Sequence, residues 1–336
     1  MMAEDPQQDT HGRAVASRRR VLAAAAALAP ALAVAQQAPA RALSAAADHR
    51  HGDAVVRPVR TTLSDWTDVA KALGRGGDMK RNLMYHTGLP RHDLSVISKG
   101  VLIKPELALG SHVSFVRYAD GSTMTMGDLV VTEQELQPFL DVLHQQGLAV
   151  TALHKHLLSH TPNVWWAHVH AHGHDPVAVA RGLRAAFDRT GTPRPQRPAK
   201  SSHTLDTAAI DAALGVKGSY DDGIYKSLFI RRETIVEGGM VLPPGLGSTT
   251  AFNWQPLGAG RVAISGDLAM VAGEVQDVLA ALRRARMELV ELHNHGLRDE
   301  PRLFFTHFWA VGNAVTLARG LRAAVDATNV APASVG

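Results

Sequence analysis

Between residues 122 and 131 polar and apolar side chains alternate, the two-residue period of a strand that buries one face. Residues 114–118 supply its hairpin partner across the turn signal Asp120-Gly121. Thr132-Glu133-Gln134-Glu135 then sets a hydroxyl and a carboxylate three positions apart, the pairing that satisfies free amides at a helix start. Leu136, Leu140 and Leu143 continue an apolar helical stripe as far as Gly147. Strand patterning returns over residues 148–158 and 164–172 with a turn at Pro162, and residues 176–188 form a helix with Val179, Leu183 and Phe187 inward.

The same succession occurs twice. An offset of 139 residues carries Gly127-Asp128-Leu129 onto Gly266-Asp267-Leu268, Glu135 onto Glu274, Leu140 onto Leu279 and Gly173 onto Gly312. After a one-residue slip, Ala180-Arg181-Gly182-Leu183-Arg184 recurs as Ala318-Arg319-Gly320-Leu321-Arg322. Weaker matches reach toward the start of each copy, among them Leu73-Gly74 with Leu214-Gly215, Tyr85 with Tyr225 and Arg91 with Arg231. A chain of two like units must bury matching faces in each. The pattern therefore predicts an α+β fold: two tandem α+β sandwich repeats, each an antiparallel sheet with helices on one side, packed as a pseudo-twofold pair. Residues 63–190 make repeat 1 and 205–328 repeat 2, joined by a Pro/Arg/Lys/Ser-rich linker, 191–204, and followed by a tail, 329–336.

Packing does not require the histidines that the two copies share. His154 and His156, two apart on a strand, share a face, and His168 follows on the next strand; His293, His295 and His307 repeat the arrangement. A register that brings the third imidazole beside the first two puts three donors within reach of one ion, because facing side chains in a sheet lie ~5 Å apart. Three neutral imidazoles with an open fourth position suit zinc, and copper and nickel accept the same donors. The expectation is one three-histidine metal site per repeat. Glu291 lies on the face of His293 and is the candidate general base; its counterpart in repeat 1 is Ala152. Asp128 and Asp267 are read as helix caps, and Arg91 and Arg231 as surface ion pairs. Trp165-Trp166 and Phe304-Phe305 straddle a strand, so one ring of each pair belongs to the core and the other to a cleft or to the joint between copies. Further histidines, His144, His160, His170, His172 and His174, crowd the same stretch of repeat 1 without counterparts in a shared triad.

Composition narrows the chemistry. With no cysteine, thiolate catalysis, disulfides and cysteine-ligated metals are excluded, leaving histidine and carboxylate as ligands. A net charge of +4 without basic runs interleaved with aromatics argues against nucleic acid. Ser17-Arg18-Arg19-Arg20 before an Ala-rich run and Ala33-Val34-Ala35 predicts an export signal of twin-arginine type over residues 1–35, then a flexible lead-in, 36–62, and a periplasmic or secreted protein. No run approaches the ~18 apolar residues of a membrane span, and no cysteine follows the cleavage site to take a lipid anchor.

Gly-Asp-Leu, Leu-His-x-His, the following Pro and His, and the Ala-Arg-Gly-Leu-Arg helix, present in both halves, resemble the domain-of-unknown-function family DUF1259, that of the mycobacterial lipoproteins LppY and LpqO. The resemblance spans about residues 63–328 and implies an exported bacterial envelope protein with no assigned reaction. The His-x-His…His spacing alone is similar to the zinc-binding pattern of acetolactate decarboxylase and PPC domains. Two functions follow as expectations. The first is a metal-dependent hydrolase or lyase acting on a small polar compound; the second is a non-catalytic periplasmic metal-binding or envelope interaction protein.

Overall fold

The computed structural model describes residues 55–195 and 205–333, so the expected export signal, most of the lead-in and residues 196–204 of the linker lie outside the described residues. Repeat 1 runs α1 (Thr67–Leu73), β1 (Asp78–Lys80), β2 (Met84–Pro90), β3 (Gly110–Arg117), β4 (Thr123–Thr132), α2 (Glu133–Gln145), β5 (Ala149–His154), β6 (Val164–Gly173) and α3 (Pro176–Phe187). Repeat 2 follows the same order: α4 (Thr207–Leu214), β7 (Ser219–Asp221), β8 (Ile224–Arg231), β9 (Thr249–Gly258), β10 (Arg261–Val271), α5 (Val275–Arg284), β11 (Glu288–His293), β12 (Leu303–Asn313) and α6 (Ala314–Asp326). Each half is an antiparallel sheet, ordered β1-β2-β3-β4-β6-β5 in the first and β7-β8-β9-β10-β12-β11 in the second. The helices cover one face of each: Leu73, Leu136, Phe139, Leu140 and Leu183 pack on Val113, Leu129 and Val131 in repeat 1, and repeat 2 has the equivalent core.

The other face of each sheet is buried too, against the opposite repeat. Along β4 the even positions Met124 and Met126 join Ile235, Leu246 and Phe305 of repeat 2, while Val130 joins Ala263 and Trp309 in a second shared core. This explains why nearly every residue of β4 is buried although its sequence alternates. Polar residues on such a strand face a protein interior, so each needs a partner there. The aromatic pairs divide as expected: Trp165 and Phe304 lean on the helix-side cores, and Trp166 and Phe305 enter the cores between repeats.

Elsewhere the structure corrects the sequence reading. Arg91 and Arg231 do not lie on the surface; they are 0% and 6% exposed. Arg91 grips Asp93 at 2.8 Å and Glu135 at 2.8 Å, and Arg231 grips Glu233 at 2.6 Å and Glu274 at 2.5 Å. Glu135 also accepts the Thr132 amide at 2.8 Å, so one carboxylate both caps α2 and anchors the buried guanidinium. Val330–Pro332 in the tail forms a further strand, β13, on the edge of β8. Within the lead-in, Val56 exchanges backbone hydrogen bonds with Gly239 and Val241 at 2.9 Å, and Val59 bonds Arg117 at 2.9 Å, touching both repeats.

Candidate metal centre

Strand β5 ends at His154, where the sequence pattern extends it to residue 158. The chain leaves the sheet there because the next amide, that of Lys155, is taken by Glu291 Oε2 of repeat 2 at 3.0 Å. In return, Thr151 Oγ1 donates to the His295 carbonyl at 2.5 Å and Asn294 Nδ2 donates to the Thr151 carbonyl at 2.9 Å. The two His-x-His segments are thus laced to each other where they leave their own sheets. A bulge between Val150 and Ala152 sets Ala152 opposite His168 and His154 opposite Trp166; the matching bulge sets Glu291 opposite His307 and His293 opposite Phe305.

All six histidines singled out from the sequence meet in one cluster between the repeats. Ring centroids of His154 and His293 are 4.2 Å apart, those of His156 and His307 3.9 Å, and those of His168 and His295 4.0 Å. Each of these contacts joins one repeat to the other. His154 also stacks on His168 at 4.6 Å, as His293 does on His307 at 4.7 Å. His156 lies against Trp166 at 4.6 Å and His295 against Phe305 at 3.4 Å, which fixes both rings by packing. Within this cluster, the groupings whose donor atoms lie within 4.8 Å of one another are His154/His293/His307, His168/His293/His295 and Asp128/His154/His156. Two of the three mix the repeats, where the sequence spacing leads one to expect a separate triad in each.

Asp128 and Asp267 do not cap helices. They sit inside β4 and β10, on the face turned to the other repeat, with Thr132 and Glu135 taking the capping work further on. Asp128 Oδ2 lies 3.1 Å from His156 Nε2, and Asp267 Oδ2 lies 3.3 Å from His295 Nε2. The glycine before each is demanded by close packing: a Cβ at Gly127 would stand 2.6 Å from the His112 carbonyl oxygen, and one at Gly266 2.6 Å from the Phe308 ring. Glu291 is occupied with the Lys155 amide, so the carboxylates that reach the imidazoles are Asp128 and Asp267.

The donor atoms fit a cation. His307 Nδ1 donates to the Gly266 carbonyl at 3.2 Å and His295 Nδ1 to the Gly247 carbonyl at 3.3 Å. A carbonyl can only accept, so in the neutral rings the lone pair sits on Nε2 and is aimed into the cluster. Buried there without a hydrogen-bond partner are Nε2 of His168, His293, His295 and His307, Nδ1 of His154 and His293, and Oδ1 of Asp128 and Asp267. Each such orphan costs ~1–3 kcal/mol, and this concentration of unpartnered imidazole and carboxylate atoms suits a bound cation. His154 Nε2 and His156 Nε2 lie 2.9 Å apart, close enough for both to reach one ion.

Electrostatics keep the imidazoles in the ligand form. Burial, then the crowding of neighbouring imidazoles, holds His154 and His293 far below the usual histidine range. Burial is also the leading cause that brings His168, His295 and His307 down to about 3. Burial works against charge on both aspartates: Asp267 is raised, while at Asp128 His168 and His156 outweigh burial and hold the carboxyl well below its usual range.

The cluster opens into a pocket of about 540 Å³ lined by both repeats, including His156, His168, His295, His307, Asp128 and Asp267. Its walls add two histidines that the sequence reading did not single out. His112 pairs across the sheet with Asp128, and His86 bonds Ser114 Oγ at 3.0 Å. The other histidines of repeat 1 belong elsewhere: His160 bonds the backbone of Leu157 and Val164, and His170 approaches Glu237 at 3.9 Å.

A duplicated α+β sandwich with a buried histidine–carboxylate cluster at the joint defines the class of this protein. The family model described as Domain of Unknown Function (DUF1259) matches residues 67–189 and 208–327, and the chain belongs to that family. No curated protein matches the chain. Among solved structures, the trimeric bacterial microcompartment shell protein PduB is similar at 12% identity, covering 73% of this chain and 86% of that one, with a TM-score of 0.17, which carries no argument.

Proposed function

We propose that this is an exported metal-dependent enzyme, a hydrolase or lyase, acting on a small polar compound in the periplasm or outside the cell. The observation that carries the reading is the convergence of unpartnered imidazole and carboxylate atoms from both repeats at the floor of an open pocket. The ligands are drawn from His154, His156, His168, His293, His295 and His307, with Asp128 and Asp267 able to complete the shell. Zinc suits this donor set best, and copper or nickel is accommodated by imidazole. Such an ion would supply Lewis acidity where a substrate carbonyl or a water enters.

The residues of the chain do the rest. Trp166 and Phe305 clamp the second histidine of each pair, and the Gly247 and Gly266 carbonyls select the tautomer. Glu291, the candidate base from the sequence, acts by positioning the opposite histidine segment. The open volume beside the ligands favours an enzyme over a metal store, which needs no space for a second molecule.

Metal analysis of untagged protein, followed by a hydrolase and lyase screen of loaded and chelator-stripped samples, tests the reading. Stoichiometric metal with metal-dependent turnover is expected. A chain that takes up no divalent metal at micromolar concentration overturns it.

A further inference from the structure

The pocket is lined by the first hairpin of each repeat, and both copies bring positive charge there. Repeat 1 contributes Lys80 and Arg81; repeat 2 contributes Lys217 and Lys226. Among the described residues, the only carboxylates lining the pocket are Asp128 and Asp267, down at the histidines. Lys80 and Lys226 are steadied by Asp78 and Asp221, each at 2.6 Å, neither of which lines the pocket. Arg81 and Lys217 are exposed and form no ion pair among the described residues. Between rim and floor the wall is largely apolar, with Met84, Met126, Leu228 and Leu246.

A basic rim, an apolar shaft and a histidine floor select a particular kind of molecule. We propose that the pocket takes a small anionic compound, a carboxylate or a phosphate ester with an apolar body, whose charged end is held by Arg81, Lys217 and Lys226. Its apolar body then runs along the methionine and leucine wall, and its reacting group meets the histidines. This rests on the metal-enzyme reading only for what happens at the floor. The rim selects by charge whether or not a metal is bound, because three cations facing one cavity raise the local concentration of anions. The ladder also makes the pocket one-sided. Lys226 occupies the place that His86 holds in repeat 1, Asn253 that of Ser114 and Ala251 that of His112. A ligand therefore enters in one orientation.

The test uses the full chain, zinc-loaded or stripped, with phenyl phosphate, benzoate and uncharged benzamide as probes in titration calorimetry, and zinc content measured in parallel. At least one anion is expected to bind about tenfold tighter than benzamide, less so at high salt, the scale of a single charge-assisted contact. The Arg81→Ala/Lys217→Ala double variant is expected to lose that preference while keeping its zinc. Preference for phenyl phosphate alone, or for benzoate alone, names the source of the charge and supports the proposal. Benzamide binding as tightly as both anions overturns it. So does an anion preference that disappears on stripping zinc but survives in the double variant, since the metal would then be the anion's holder. A chain without zinc sinks the enzyme reading alone; an anion preference lost in the double variant would still stand.

Discussion

The two repeats share a frame and diverge at the surface they turn to each other. Both carry Gly-Asp inside a central strand, a buried arginine held by two carboxylates, and a His-x-His segment at the end of an edge strand. Repeat 1 faces the pocket with His86, Ser114 and His112 where repeat 2 offers Lys226, Asn253 and Ala251. Residues kept alike in both copies build the cluster and its supports, and residues that differ line the way in. The contrast separates what makes a cation site from what chooses its visitor.

The sharpest break of this comparison removes a residue that both mixed groupings use. His293→Ala is expected to remove most of the bound metal, because His293 belongs to the groups with His154 and His307 and with His168 and His295, and only the Asp128/His154/His156 group stays whole. Were each repeat a self-sufficient site, metal analysis of that variant would instead show half the metal retained on His154, His156 and His168. His156→Ala leaves both His293 groups whole and should keep bound metal.

Next in size is the response of stripped protein to acid. His154 and His293 titrate far below the unfolded value of ~6.5, and His168, His295 and His307 titrate at about 3. Below pH ~6.5 the unfolded chain takes up protons that the folded chain refuses, so stability falls with falling pH by up to ~1.4 kcal/mol per pH unit for each such histidine. Chelator-treated protein should show Tm dropping steeply between pH 7 and pH 5; a flat profile there would contradict neutral, buried imidazoles.

Arg91→Ala and Arg231→Ala should each cost ~3–5 kcal/mol in denaturant unfolding, since each leaves a carboxylate pair facing a void. The costs should be similar, because the two networks have the same partners. A difference of several-fold would show that the repeats are less alike in their cores than in their ladders. Smaller still, Gly127→Ala and Gly266→Ala should cost ~1–3 kcal/mol by overpacking. Gly127→Ala should be the worse, as its methyl meets backbone and the other meets a ring that can rotate.

Much of the fold could be read from periodicity. The hairpin at Asp120-Gly121, the capped helix at Thr132 and the strand–strand–helix close of each copy all stand where the pattern puts them. The first helix and the short strand before Met84 were not legible, because seven- and three-residue elements hold too little pattern. At the site, the histidines were found from spacing, but their partnership was not. Pairing of His156 with His307 depends on how the repeats dock, and a one-dimensional offset carries no information on that. The aspartates had a usable signal: Asp128 lies four residues before the capping Thr132, too early to serve the helix. The arginines looked superficial because their carboxylate partners, Glu135 and Glu274, lie 44 and 43 residues away in the chain.

The reciprocal lacing of the His-x-His segments reaches back to the origin of the chain. A gene encoding a single copy could have completed this cluster only when two of its products paired, each lending its imidazoles to the other. With both halves in one chain the cluster closes intramolecularly rather than by a concentration-dependent association, and each half can change its share of the entrance independently. Lys226 facing His86 across the mouth is what such freedom leaves behind.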